Sequence, residues 1–293
     1  MIILPGPASP NLGKCLAAEL DTNLVPVYFK KFPDGESYVR IDGNVENQEV
    51  VIVQTTSPPQ DERLMQLFLM SSAAKHNGAK TITAVLPYFA YSRQDKIFVP
   101  GEAFSVKTVV DILETCGVNQ IISINSHSPA ALSSLSIPVT DHSAIPLLAK
   151  HFKKKRIEGA VSLSMGKNGL AMSKEAAAII NGECDYIETQ RDRHTGYVDI
   201  KEKPLRVKNK TVIFFDDIIS SGGTMAKAVA YAKRQGAKKV YAACVHPLLI
   251  NDAREKIINN GAEEIVGTDT VPSPVSMVSV APIIAKALIG LGV

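Results

Sequence analysis

The sequence predicts an α/β protein of two similar domains, each a mostly parallel sheet flanked by helices. Three observations carry this. The chain has 293 residues, long for one core and enough for two. Short β-branched runs, nearly continuous in apolar residues, alternate with helix-length amphipathic segments, as in parallel sheets covered on both faces. The alternation also occurs twice, once before residue 145 and once after it.

In chain order, strands are expected at Val50–Gln54, Thr81–Leu86 and Gln120–Asn125, then at Ala160–Ser164, Thr211–Phe215 and Lys239–Val245. Helices are expected at Asp61–His76, Phe104–Thr115, Asn168–Ile180, Thr224–Gln235 and Asn251–Asn259, where apolar residues recur at helical spacing. Several are followed by the glycine that commonly sits just past a helix end: Gly78, Gly117, Gly182, Gly236 and Gly261. Asp141–Pro146 is the expected crossing between domains 1–145 and 146–293, although no Gly/Ser-rich linker marks it.

Composition narrows the function classes. A net charge of +3 gives no electrostatic argument for a nucleic-acid partner. The basic cluster Lys153–Arg156 follows an apolar helix-like stretch and reads as a solvated helix end complementing the helix dipole. Cys15, Cys116, Cys184 and Cys244 are scattered and form no CxxC pair, so a metal-thiolate or redox motif is not expected. The opening MIILPGPASP has no basic region and only a short apolar run, and no stretch nears the roughly 18 apolar residues of a bilayer span. The expectation is a cytoplasmic protein without a membrane partner.

One string carries most of the chemistry. The strand ending at Phe215 runs into Asp216 and Asp217, then Ser220, Ser221, Gly222, Gly223 and Thr224, then a helix. Ligands of open α/β sheets bind beyond the carboxyl ends of strands. The glycines allow close backbone approach, the hydroxyls offer donors, and the helix start turns free N–H groups and a positive dipole end to a phosphate. The paired aspartates suit ribose hydroxyls or a hydrated Mg²⁺. An ordinary βα turn with a Ser/Thr cap would need neither adjacent carboxylates nor so many hydroxyl residues.

Two further strings lie in the first half. Phe32, Pro33, Asp34, Gly35 and Glu36 form a turn before an alternating strand, Ser37–Ile41. Pro87–Asp95 follows the strand Thr81–Leu86; its Arg93 offers a planar fork for phosphate oxygens and its Gln94 an amide for a nucleotide. Tyr88 and Phe89 are expected to be core residues.

FFDDIISSGGT resembles the phosphoribosyl-pyrophosphate signature of the phosphoribosyltransferase type I fold. FPDGE, PYFAYSRQDK, GEAFSVKT, INSHSP and RDRHTG occur with it in an order similar to that of ribose-phosphate pyrophosphokinases of the short archaeal type. That resemblance implies two phosphoribosyltransferase type I-like domains, an ATP-side domain and a ribose 5-phosphate domain. It implies transfer of diphosphate from ATP to C1 of ribose 5-phosphate, with Mg²⁺, giving phosphoribosyl pyrophosphate and AMP. Phe32, Asp34, Gly35, Glu36, Arg93 and Gln94 would bind ATP, the first group from a neighbouring subunit, so a homo-oligomer with the ATP site at a dimer interface is implied. His127 would contact the metal. Arg191, catalytic by family pattern, would serve ribose 5-phosphate with Asp216, Asp217, Ser220, Ser221, Gly222, Gly223 and Thr224.

The chain departs from that pattern twice. Ser164 stands where the family has a metal-contacting aspartate, and Thr189 where it has a lysine. Mg²⁺ favours charged, hard oxygens, and a hydroxyl is a weaker ligand. The alternative to an active synthetase is therefore a catalytically impaired homologue serving as a binding or regulatory subunit, in hetero-assembly with an active one. A base-specific phosphoribosyltransferase would leave FPDGE and the RQD segment without a role.

Overall fold

A computed structural model describes the chain except residues 127–131, 133–134, 192–197, 202 and 291–293, and the side chains of 190, 191, 198 and 199. It forms two compact units.

The first unit comprises Met1–Ser143, Thr270–Pro272 and Ser279–Val293. In order it contains β1 (Ile2–Pro5), α1 (Pro10–Glu19), β2 (Asn23–Leu24), β3 (Val27–Lys31), β4 (Ser37–Ile41), β5 (Glu49–Val53), α2 (Gln60–His76), β6 (Thr81–Leu86), α3 (Ser105–Thr115), β7 (Gln120–Ile124) and β8 (Val139–His142). Six strands make a parallel sheet of order β2-β1-β5-β6-β7-β8, and β3 with β4 forms a separate antiparallel hairpin. Ile52, Leu67, Met70, Leu86, Val110 and Leu113 are among the fully covered residues of its core. The apolar strand β5 is buried on both faces, the arrangement its continuous EVVIV predicts.

The second unit comprises Ala144–Asp269 and Ser273–Val278. It contains α4 (Ile145–Lys154), β9 (Val161–Met165), a single 3₁₀ turn (Lys167–Gly169), α5 (Leu170–Ile180), β10 (Cys184–Ile187), β11 (Thr189–Arg191), β12 (Val198–Ile200), β13 (Thr211–Ile219), α6 (Gly223–Arg234), β14 (Lys239–Pro247), α7 (Ala253–Asn259), β15 (Glu264–Thr268) and β16 (Ser276–Val278). Its six-stranded parallel sheet has the order β10-β9-β13-β14-β15-β16, while β11 and β12 pair antiparallel on their own. Val212 and Phe214 pack with Val229 and Ala232 of α6. On the opposite face Phe152 of α4 meets Phe215 and Tyr241 edge-on at 6.1 and 5.7 Å. The cluster Lys153–Arg156 falls at the end of α4, whose last turn carries His151, Lys153 and Lys154.

The final helix, α8 (Ala281–Gly290), differs from the sequence expectation. Residues 146–293 were expected to form one domain, but Ser279 onward belongs to the first unit. α8 buries Ala281, Ile284, Ala285 and Leu288, and α1 is the helix it packs against. α1 itself buries Leu12, Leu16 and Ala17, so each apolar stripe needs a partner. Apolar periodicity shows that a helix must be buried but not which unit covers it.

Helix boundaries shift by a residue or two from expectation, except that the segment begun at Asn168 opens as a 3₁₀ turn. β13 differs more. It continues four residues past Phe215, so Asp216 and Asp217 lie on the strand, not in the loop. The extension is held by β14, with Asp216 in register with Cys244 and Ile218 with His246.

Candidate functional site

In the second unit, β9 has β10 on one side and β13 on the other. The chain moves outward from β9 to β10, then returns to β13, so the strand order reverses between β9 and β13. Such a reversal opens a crevice at the carboxyl ends of the two strands. The segments entering it are those after β9 and after β13.

After β13 the chain turns through Ser220 and Ser221 to Gly222, whose φ of 72° is left-handed. A Cβ at Gly222 would lie 2.8 Å from the Ala253 carbonyl oxygen, so the turn is closed to other residues. At Gly223 a Cβ would meet nothing within 4 Å: the backbone faces open space there. α6 starts at Gly223 with no side-chain cap and no acidic residue in its first turn. Its leading N–H groups and positive dipole end thus meet no carboxylate from the helix's own first turn. Asp216, Asp217, Ser220 and Thr224 are partly exposed and Ser221 is exposed, all at or just beyond the carboxyl end of β13. The Asp216 and Asp217 carboxylates each accept the next residue's amide, at 3.0 and 2.8 Å. Beside Asp216, on β14, Cys244 is wholly buried; burial first, then the Asp216 charge, pushes its thiol well above the ordinary range.

After β9 come Gly166, Lys167, Asn168 and Gly169. Gly166 turns the chain with φ 70° and ψ 167°, and its amide donates to the Ile187 carbonyl at 2.8 Å. Ser164 is fully covered, and its hydroxyl is buried without a hydrogen-bond partner. Gly169 closes over it, since a Cβ there would come within 2.8 Å of the Ser164 Cβ. Thr189 faces this turn: its Oγ1 lies 3.2 Å from where a Gly166 Cβ would be. The two departures from the family pattern therefore flank one turn. Arg191 is the last residue of β11, with its side chain outside the described residues.

In the first unit, β6 leads into the Arg93–Gln94 segment. Tyr88 and Phe89 are buried, as expected of core residues. Thr56 fixes this segment: its hydroxyl donates to the Tyr88 carbonyl and accepts from the Ala90 amide, at 2.8 and 2.7 Å. Gln94 accepts from the Ser105 hydroxyl at 2.8 Å. Arg93 is exposed and makes no ion pair among the described residues. Phe32–Glu36 caps the β3–β4 hairpin, with the Phe32 amide donating to the Glu36 carbonyl at 2.8 Å and Gly35 at φ 99°.

Both segments are tied to the first turn of α2. Tyr91 donates its hydroxyl to Asp61, and Lys31 pairs with Glu62 at 2.8 Å. The Lys31 hydrogen bond is the main reason the Glu62 carboxyl lies below its usual range. Sequence reasoning missed this coupling, and it missed Asp141, whose carboxylate accepts from Ser123 and from the Ser126 amide at 2.7 and 2.8 Å. These bonds fix the chain just before His127, which itself lies outside the described residues. No sequence signal distinguishes such anchors from ordinary surface acids.

Comparison with known proteins matches this arrangement over nearly the whole chain. The family model for the N-terminal domain of ribose phosphate pyrophosphokinase matches residues 1–117, and that for the phosphoribosyl transferase domain matches residues 142–277. A ribose-phosphate pyrophosphokinase of Sulfurisphaera tokodaii is 41% identical over 292 residues, covering 98% of this chain and 100% of the relative. One from Methanothermobacter thermautotrophicus is 40% identical over 281 residues, covering 96% and 97%. The crystal structure of phosphoribosylpyrophosphate synthetase from Mycobacterium smegmatis superimposes with a TM-score of 0.87 at 30% identity, covering 99% of this chain and 98% of that one.

Proposed function

The chain belongs to the ribose-phosphate pyrophosphokinase family, and from that premise we propose which of its residues perform the reaction. The enzyme is of the ribose-phosphate diphosphokinase kind: diphosphate passes from ATP to C1 of ribose 5-phosphate, giving phosphoribosyl pyrophosphate and AMP. The carrying observation is the uncapped start of α6 beside Gly223 and the paired aspartates at the end of β13. The α6 amides, with Ser220, Ser221, Gly222, Gly223 and Thr224, bind the 5-phosphate. Asp216 and Asp217 accept hydrogen bonds from the ribose hydroxyls. Arg93 and Gln94 hold ATP, and Phe32, Asp34, Gly35 and Glu36 hold the adenine of a neighbouring subunit. Arg191 serves the transferring group.

Mg²⁺ supplies charge neutralisation on the triphosphate. A protein-held ion at residue 164 does not fit, because the Ser164 hydroxyl is neutral, buried and covered by Gly169. Among the described residues no three His, Cys, Asp or Glu converge. Mg²⁺ is therefore assigned to the ATP phosphates as part of the substrate, with His127 as its expected protein contact.

Phosphoryl-type transfer is chiefly positioning and charge stabilisation, so no protein nucleophile is needed. The test mixes pure protein with ATP, Mg²⁺ and ribose 5-phosphate and follows AMP. AMP dependent on both substrates is expected; none above background would overturn turnover. The neutral pair Ser164 and Thr189 favours the second reading, an impaired subunit supporting an active homologue. Co-purification with such a homologue would support it, and strict self-association would count against it.

A further inference from the structure

We infer that Lys167 supplies the cation that neutralises the transferring diphosphate, in place of the charge that Thr189 lacks. This role rests on the reaction proposed above.

Lys167 is the first residue of the 3₁₀ turn after β9 and is exposed. It therefore sits on one wall of the crevice whose other wall carries Asp216–Thr224, since β9 and β13 are hydrogen-bonded neighbours. The preceding residue, Gly166, abuts Thr189. A lysine at 167 and one at 189 would thus start from adjoining backbone and open onto the same space.

Two of the neighbouring cations are paired with acids. Lys201 pairs with Glu188 at 3.5 Å, and Lys203 with Asp185 at 3.1 Å while stacking over Tyr186. Lys174 stands beyond the first turn of α5, next to Ser173, whose hydroxyl is anchored to the Ser162 carbonyl at 2.7 Å. Lys167 has no hydrogen-bond or ion-pair partner among the described residues. The neutral Ser164 behind it offers no carboxylate to tie its ammonium down. Two departures thereby become one compensated change: the carboxylate that would hold a cation is absent, and a cation is free beside the missing lysine.

In the transfer, the C1 hydroxyl oxygen bonds to the β-phosphorus and the bond to the α-phosphate oxygen breaks. AMP leaves with that oxygen, and the hydroxyl proton passes to water. Negative charge on the transferring oxygens is largest at the midpoint, so a flexible ammonium placed there stabilises the transition state more than the bound substrate.

The experiment compares the parent with Lys167→Ala, Lys167→Arg and the double variant Lys167→Ala/Thr189→Lys. AMP release gives kcat, and calorimetry gives the Kd for ribose 5-phosphate. Lys167→Ala should lower kcat roughly 10- to 100-fold, below the loss of a full oxyanion donor because the lysine is solvated, with Kd changing less than about threefold. Lys167→Arg should keep much of the rate, and adding Thr189→Lys should restore it. A Lys167→Ala protein as fast as an active parent overturns the role of Lys167 alone. So does a Kd that weakens in step with kcat. A parent that binds ribose 5-phosphate but releases no AMP overturns turnover itself, and this role with it.

Discussion

At Gly222 the backbone takes a left-handed turn with the Ala253 carbonyl oxygen 2.8 Å from any added Cβ. Gly222→Ala should destabilise the second unit by about 1–3 kcal/mol, from strain at positive φ together with the steric contact. Urea unfolding would read this, and ribose 5-phosphate affinity should fall with it because α6 starts at the next residue. His151 makes a different, pH-dependent contribution. Its ring packs against Phe152 at 5.7 Å and its Nε2 is buried without a partner. Burial, then the Lys155 charge, holds its pKa below the usual value of 6.5. The neutral ring is the one the fold accommodates, so this contribution is complete above pH 6.5. Below that the unfolded chain takes the proton first, and stability declines until the folded pKa is passed. Unfolding midpoints should therefore fall between pH 7 and 5 more steeply for the parent than for His151→Leu; equal slopes would refute the assignment.

The elements differ in how clearly the sequence announced them. β13 was legible because TVIFF is apolar on both faces, and α6 because Gly222 and Gly236 bracket an amphipathic run. The continuation of β13 through Asp216 and Asp217 was not, because aspartates disfavour strands and only the partner β14 supplies the ladder. β4 was expected from its alternation, whereas its partner β3 was not singled out; the hairpin exists through the pairing of the two. Its outward face carries Tyr28, Phe32 and Tyr38, which are 46%, 36% and 37% exposed, with Lys30 and Arg40 stacked over the rings of Phe32 and Tyr28. Three aromatic rings left that open suit a second copy, the arrangement proposed above for the adenine site. Phe32→Ala should raise the KM for ATP roughly tenfold, the effect of about 1.4 kcal/mol of lost contact. The KM for ribose 5-phosphate should stay unchanged, and light scattering should show an even-numbered oligomer for the parent.

On the scale of the whole molecule, the same sheet order serves two ends. In the first unit the reversal lies between β1 and β5, and there it is filled. The buried Gln54 amide accepts the Ala8 N–H at 3.1 Å and donates to the Arg63 carbonyl and to Gln66, both at 3.3 Å. The Thr55 amide donates to the Ser9 hydroxyl at 2.8 Å. In the second unit the backbone at Gly223, after β13, faces open space instead. Repetition of the fold was legible in the doubled strand–helix rhythm. Which copy is open was not, because it depends on one side chain folding inward.

The helix α8 sets the order of events during synthesis. The whole of the second unit lies within residues 144–278, so all of its strands are translated before α8. The first unit, begun earlier, must wait with the α1 stripe uncovered until residues 281–290 emerge. Ile284 is fully buried, and Ile284→Ala should cost about 2–5 kcal/mol of first-unit stability. A released chain truncated after Val278 should therefore yield to protease in its first unit while its second unit resists.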